Sequence, residues 1–332
     1  MKYLVTGGAG FIGSNFLHYM VKKYPEDYFV CLDLLTYAGN YDNLKSLESY
    51  NNFRFVYGDI RNEREINSLF LKEKFDIIVN FAAETHVDNS IENPDVFLET
   101  NVRGTVNLLN AVKEMNLIHK IKRFHQISTD EVYGDLPLNR GDLYFTESSS
   151  LRPSSPYSAS KTSADLFVLA YARTYEIPVT ISRCSNNYGA YQFPEKLIPL
   201  TILKTLNNEK IPVYGTGKNV RDWINVTDHV VGIDMIIRHG KNGELYNLGG
   251  NCEVENIEVV KLILKILNKS TNLIEYVSDR KGHDLRYAMN YDKAKKELGW
   301  EPKTKFCDGL KETINWYLNN QAWLEDLNYK YK

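Results

Sequence analysis

Short apolar runs alternate with longer amphipathic stretches through the first half of the chain. Tyr3–Thr6, Phe29–Leu32, Phe53–Tyr57, Ile77–Phe81 and Arg123–Ser128 each read as a strand. Helical spacing falls between them, over Ile12–Lys23, Glu63–Lys72 and Pro94–Met115. A further helix is expected over Pro156–Tyr175, with Pro156 in its first turn, where a missing N–H costs nothing. Val179–Arg183 reads as a sixth strand. Continuous apolar strands joined by amphipathic helices predict a parallel sheet covered on both faces, a doubly wound α/β (Rossmann) fold.

The texture changes after about Ser185. Elements shorten, and turn signals appear at Gly215-Thr216-Gly217, Lys241-Asn242-Gly243 and Gly249-Gly250. The expected organisation is a dinucleotide-binding domain over 1–185 and a smaller C-terminal α/β substrate-binding lobe mainly over 186–332. Parts of 220–250 are expected to return to the first domain. The chain has no internal repeat or long linker, so the lobes should pack closely around a cleft.

Bulk properties narrow the function. The 332 residues carry a net charge of −2, which removes the electrostatic case for nucleic acid or an anionic membrane as partner. An anionic substrate would need local cations. Cysteines occur at 31, 184, 252 and 307 with no C-x-x-C pair, so free thiols in a reducing cytosol are expected. The sequence shows no signal-peptide pattern and no apolar run of roughly 20 residues, so a cytoplasmic protein is expected.

Candidate chemistry begins at residues 7–13, Gly7-Gly8-Ala9-Gly10-Phe11-Ile12-Gly13, between a predicted strand and a predicted helix. Glycines there permit a tight turn and close approach of backbone to a pyrophosphate, and the helix start offers N–H groups. Asp33 follows the second strand, where a carboxylate accepts from both adenosine ribose hydroxyls and repels a 2′-phosphate. NAD is therefore the expected cofactor. Asp59-Ile60 and Phe81-Ala82-Ala83 also stand at strand ends, and each alone could be a plain turn.

Tyr157 and Lys161 stand four apart on one predicted helix and share a face. An ammonium beside a phenol favours the phenolate, giving a base near neutral pH. Thr129-Asp130-Glu131 follows the fifth strand, at the sheet edge where ligands of such folds bind. Neighbouring carboxyls raise each other's proton affinity, so one can stay protonated beside an ionised partner, as a water elimination requires. Spacing alone leaves this reading level with an acidic turn capping a strand end.

The segments around these residues extend the pattern. They include Leu35-Thr36-Tyr37-Ala38-Gly39-Asn40, Ala82-Ala83-Glu84-Thr85-His86-Val87-Asp88 and Ser182-Arg183-Cys184-Ser185-Asn186-Asn187-Tyr188-Gly189. Phe193-Pro194-Glu195-Lys196-Leu197-Ile198-Pro199, Val220-Arg221-Asp222-Trp223 and Gly282-His283-Asp284 complete the set. In these, and over nearly its whole length, the chain resembles the dTDP-glucose 4,6-dehydratases, extended short-chain dehydrogenase/reductases. The resemblance implies oxidation at carbon 4 of the sugar, loss of water across carbons 5 and 6, and hydride return to carbon 6. It implies Tyr157 as the base at the 4-hydroxyl, tuned by Lys161, with Thr129 bonded to that hydroxyl. Glu131 would take the carbon-5 proton and Asp130 would protonate the leaving 6-hydroxyl.

The same resemblance adds Leu34, Thr36, Thr100 and Asn187 to the cofactor set. It implies a nucleotide-sugar site at Thr85, Thr129, Asn186, Lys196, Leu197, Pro212, Val213, Tyr214, Arg221, Asn256, Asp279, Arg280 and His283. Arg221 is the expected pyrophosphate contact, since guanidinium pairs with phosphate in a fork. The bland reading is a surface arginine beside Asp222. His86 and His283 lack a third ligand, so no metal is expected. A homodimer is implied, through the helices near 94–115 and 156–175. Two positions depart from the family pattern: Leu34 where lysine is frequent, and Lys281 where proline is usual. The competing readings are a nucleotide-sugar 4-epimerase or decarboxylase, neither of which needs Asp130 and Glu131, and a non-catalytic dinucleotide-binding protein.

Overall fold

The predicted apolar runs pair with one another, because each exposes side chains on both faces and both faces are covered. In a computed structural model that describes residues 1–330, the chain opens with β1 (Lys2–Thr6), α1 (Phe11–Lys23), β2 (Tyr28–Asp33), β3 (Phe53–Tyr57), α2 (Glu63–Glu73) and β4 (Ile77–Asn80). Then come α3 (Val87–Glu92), α4 (Pro94–Phe97), a π-helical segment (Leu98–Gly104), α5 (Thr105–Met115) and β5 (Arg123–Thr129). After α6 (Pro156–Tyr175) follow β6 (Val179–Cys184), β7 (Asn186–Tyr188), α7 (Leu197–Leu206), β8 (Ile211–Tyr214), β9 (Val220–Asn225), α8 (Val226–His239) and β10 (Glu244–Leu248). The chain continues with β11 (Glu253–Glu255), α9 (Asn256–Ile266), β12 (Ile274–Val277), α10 (Asp292–Leu298), α11 (Phe306–Asn319) and α12 (Gln321–Lys330).

Seven strands form one parallel sheet in the order β10-β6-β5-β4-β1-β2-β3. This is the doubly wound arrangement, with its switch point between β1 and β4. Tyr3, Val5, Phe29 and Val79 pack with α1 and α8, while Leu4, Val30 and Ile78 pack with α2, α5 and α6 on the other face. Both faces are thus apolar, which is why the strands read as continuous runs and not as alternations. The smaller sheets, β11-β9-β7 and β12-β8, stand at the carboxyl edge of the large one. The first packs on a core of Ile198, Ile202, Val259, Ile263, Leu310 and Ile314, and the second on Ile257, Val260 and Leu264.

The expected helix over 94–115 is interrupted. A π-helical segment separates α4 from α5 and buries Asn101. The Asn101 amide accepts from Glu84 N at 2.8 Å and donates to Glu84 O at 3.0 Å and to Ser160 Oγ at 2.8 Å. Widened turns of this kind accompany functional sites, and here the widened segment ties the loop after β4 to α6. Sequence spacing does not report such a change of pitch. The helix over 156–175 starts where expected, with a capping box between Ser155 and Ser158 ahead of Pro156.

Trp300 anchors α8 and α10 to the sheet. It is 2% exposed and its indole donates to Asp228 O at 3.0 Å. Trp300→Ala is expected to lose about 3–5 kcal/mol. A urea-midpoint shift corresponding to less than about 1 kcal/mol would contradict the anchoring role.

Candidate active site

The glycine turn is tight enough to exclude side chains. Gly7 adopts φ +67°, and a Cβ there would lie 2.5 Å from Ala82 N. A Cβ at Gly13 would lie 2.3 Å from Gly7 O. The turn therefore presses against the end of β4 and leaves the start of α1 open to a ligand. Asp33 closes this end of the cleft: its carboxylate accepts from Ala9 N at 2.9 Å and Leu35 N at 2.8 Å. Burial raises the Asp33 proton affinity, and these N–H donors oppose that rise. Asp59 is held by Arg61, whose Nε donates to it at 2.8 Å.

A cavity of about 320 Å³ runs from the glycine turn to the end of β5. Its walls include Gly7, Gly10, Phe11, Ile12, Gly13, Asp33, Leu34, Thr36, Asp59, Ile60, Phe81, Ala82, Ala83, Thr100, Tyr157, Lys161 and Asn187. Thr85, Thr129, Asp130 and Glu131 complete its far end. A second cavity of about 230 Å³ adjoins it, lined by Leu197, Pro212, Val213, Tyr214, Arg221, Asn256, Arg280 and His283. Glu131, Asn186, Asn187, Gln192, Glu195 and Lys196 line both. One elongated cleft results, with Glu131 at its waist.

The tripeptide turn is built from the end of β5. Thr129 ends the strand, and Asp130–Tyr133 form a 3-10 turn. Thr129 Oγ1 donates to Asp130 Oδ1 at 3.2 Å and accepts from Glu131 N at 3.3 Å. Asp130 is 2% exposed, and its Oδ2 has no partner in the protein. Burial, then the Glu131 and Asp222 carboxyls, push its pKa well above the carboxylate range. Glu131 is raised too, chiefly by burial, but Lys196 and Arg221 oppose the rise. Both carboxyls are thus pushed towards the protonated form, with more cations opposing that rise at Glu131 than at Asp130.

Tyr157 and Lys161 share the face of α6 turned to this turn and line the same cavity. Lys161 Nζ donates to Ile127 O at 2.7 Å, so its ammonium is held by backbone. Burial, then the Glu131 carboxyl, raise the Tyr157 pKa well above its ordinary value. Burial lowers that of Lys161. Burial thus opposes ionisation of the phenol, and a nearby cation would be needed to favour the phenolate.

The substrate-side residues divide. Arg221 is 7% exposed, which removes the surface-arginine reading. Its guanidinium lies 4.4 Å from the Tyr287 ring centroid and donates to Asp284 O at 3.0 Å. Asp279 stands outside both cavity walls. It accepts instead from His283 Nδ1 at 2.6 Å, fixing that ring. Lys281 is exposed and outside both walls, so the charge it adds faces away from the cleft. Burial lowers the His283 pKa. Among the described residues, no group of three His, Cys, Asp or Glu is placed to hold a metal.

Tyr37, Glu195, Tyr287 and Gln192 are among the wall residues not singled out from sequence. Tyr37 donates to Glu195 Oε1 at 3.2 Å and meets Thr85 Oγ1 at 3.1 Å, joining segments 158 positions apart. Tyr287 and Gln192 also line the cleft. Tyr37 and Glu195 lie in segments that carry the family resemblance, but nothing local marks either as a contact.

The GDP-mannose 4,6 dehydratase family model matches residues 4–313. The dTDP-glucose 4,6-dehydratase of Salmonella typhimurium strain LT2 is 46% identical over 345 aligned residues, covering 98% of this chain and 95% of that one. The crystal structure of the Bacillus anthracis dTDP-glucose 4,6-dehydratase in complex with NAD is similar at a TM-score of 0.90 and 49% identity, over 98% of this chain and 99% of that one. The Streptomyces venezuelae dTDP-glucose 4,6-dehydratase, solved with NAD bound, reaches a TM-score of 0.94 at 45% identity, over 98% and 100% of the two chains. Glycine turn, adjacent carboxyl pair and full-length similarity converge: this chain belongs to the nucleotide-sugar 4,6-dehydratase family, among the dTDP-glucose 4,6-dehydratases.

Proposed function

We propose that the protein converts dTDP-glucose to dTDP-4-keto-6-deoxyglucose with NAD as a retained cofactor. The observation that carries this reading is the Thr129-Asp130-Glu131 turn, whose buried Asp130 and half-buried Glu131 carboxyls stand in one cavity with Tyr157. A 4-epimerase or decarboxylase also oxidises carbon 4 but has no use for that pair. The cleft fits the cofactor, because Asp33 ends it and Gly7 and Gly13 exclude side chains from its floor. When bound, NAD supplies the hydride acceptor at carbon 4 and the donor at carbon 6.

The chain's own residues then manage protons. Tyr157 receives the 4-hydroxyl proton, which requires a cation to offset the burial that holds it neutral. Thr129 Oγ1 orients that hydroxyl. A ketone at carbon 4 acidifies carbon 5, so Glu131 removes that proton only after oxidation. Asp130, protonated, delivers its proton to the departing 6-hydroxyl. Lys196 and Arg221 steady the Glu131 anion. The dTDP group is assigned to the second cavity, with Arg221 and Arg280 at the diphosphate and Pro212-Val213-Tyr214 at the base.

A homodimer is proposed through the helical segments over 94–115 and 156–175. Leu98, Leu166 and Phe167 are exposed large apolar residues on these elements. A cytoplasmic location is inferred from Cys31, Cys184, Cys252 and Cys307, all free thiols.

Incubated with dTDP-glucose, the protein should yield a product lighter by one water. An isomer of unchanged mass would favour epimerisation. Tyr157→Phe should lower kcat by about 10²–10⁴-fold without oxidation of the sugar. Glu131→Gln should accumulate reduced nicotinamide absorbance and stall, and full activity in that variant would refute its role.

Asp130→Asn should trade activity for stability. The folded pKa of Asp130 lies above its unfolded value, so the parent loses stability as pH rises from the carboxylate range towards the folded pKa. The asparagine variant avoids that loss, by up to about 1.4 kcal/mol per pH unit. Thermal unfolding at pH 5 and pH 8 should show a gap widening with pH, and a constant gap would count against a protonated Asp130. Light scattering at micromolar concentration should give twice the chain mass, with Phe167→Glu reverting it to monomer.

A further inference from the structure

Behind the catalytic turn lie three buried side chains with no part in the chemistry above: Ser128, Asp165 and Arg183. Asp165 stands four residues beyond Lys161 on α6, so Tyr157, Lys161 and Asp165 share one helix face. Asp165 is 0% exposed and Arg183 is 2% exposed. Ser128 Oγ donates to Asp165 Oδ2 at 2.9 Å, and Arg183 Nε donates to the same oxygen at 3.0 Å. The Arg183 guanidinium lies 4.7 Å from the centroid of the Tyr133 ring. Ser128 immediately precedes Thr129, and Tyr133 ends the 3-10 turn. A single carboxylate on α6 therefore holds the tripeptide from both ends, directly at Ser128 and through Arg183 at Tyr133.

A buried ion pair contributes little net stability compared with apolar packing of the same volume. What this one does supply is register between two elements. The tripeptide rides on β5 and Tyr157 and Lys161 ride on α6, yet both must act on one sugar. A misplacement of about 1 Å between such groups costs on the order of 100-fold in rate.

We propose that Asp165 is a positioning residue that locks the Thr129–Glu131 turn to the helix carrying Tyr157 and Lys161. The inference rests on the dehydratase reading, because that reaction needs oxidation and elimination groups in one register. Asp165 also supplies the carboxylate that faces the Lys161 ammonium. The other groups facing Lys161 are the Cys184 thiol of β6 and the Ile127 carbonyl of β5. Those facing Asp165 are Arg183, Lys161 and Ser128.

The test compares the parent, Ser128→Ala, Asp165→Asn and Asp165→Glu for kcat, KM and the pH dependence of kcat with dTDP-glucose. Ser128→Ala cuts one tether and keeps the charge, so kcat should fall about tenfold with KM within about threefold and the pH profile unmoved. Asp165→Asn keeps the shape and removes the charge. Its kcat should fall at least about tenfold, and its alkaline limb, where Lys161 loses its proton, should move about one unit lower. Asp165→Glu should return that limb towards the parent position. A kcat within about twofold of the parent in both Ser128→Ala and Asp165→Asn, or a raised KM at constant kcat, overturns the proposal. Should Asp165→Asn fail to fold, Ser128→Ala decides alone, since it leaves no buried charge unpaired. A parent without turnover refutes the dehydratase reading itself, and the positioning role with it.

Discussion

The end of β5 sets two carboxyls side by side, Asp130 buried and Glu131 half-buried, and like charges so close raise each other's proton affinity. Taking one carboxylate out of water costs several kcal/mol even after relaxation. Asp130, 2% exposed and with an oxygen lacking a partner, meets that cost by keeping its proton. Glu131 is relieved by Lys196 and Arg221, which reach it from the segment before α7 and from β9. Arg221 acts on both carboxyls, while Lys196 and Arg280 act on Glu131, so the two differ in the cations that face them. That difference is made by the small sheets and loops packed over the carboxyl edge of the large sheet.

The large sheet contributes position. Its parallel strands end together along one edge, so residues from β1, β2, β4, β5 and β6 converge on one cleft. Tyr157 and Lys161 enter from α6, which is held against the loop after β4 by Asn101 through Ser160 and Glu84. Redox and proton-transfer groups therefore meet at the point where the two cavities join. The reaction needs that meeting, because carbon 5 becomes acidic only once carbon 4 has been oxidised.

Burial raises the proton affinity of Tyr157 as it does that of Asp130, with the opposite consequence. Loss of solvent keeps Asp130 a proton donor, which suits its role. The same loss makes Tyr157 a poor base until a positive charge stands beside it. The Lys161 ammonium, engaged by the Ile127 carbonyl and faced by Asp165, is the fixed cation from which that help has to come.

Local chemistry in the sequence determined the strands of the first half, the helix start at Pro156 and the glycine turn, while the roles expected of Asp130 and Glu131 came from the family resemblance. The first three follow from nearest-neighbour constraints: apolar runs, a missing N–H, a positive φ. The cofactor wall was legible because strand-end residues of a parallel sheet share one edge. Only the tertiary structure decided the rest. It turned the helix over 94–115 into a π-helical join, drew Tyr37 to Glu195 across 158 positions and set Asp279 behind His283. It also held Lys161 on backbone and placed Asp165 beneath the tripeptide. The reason is the same in each case: proton affinity and side-chain direction depend on burial and on charges brought from distant segments, and no local pattern encodes either.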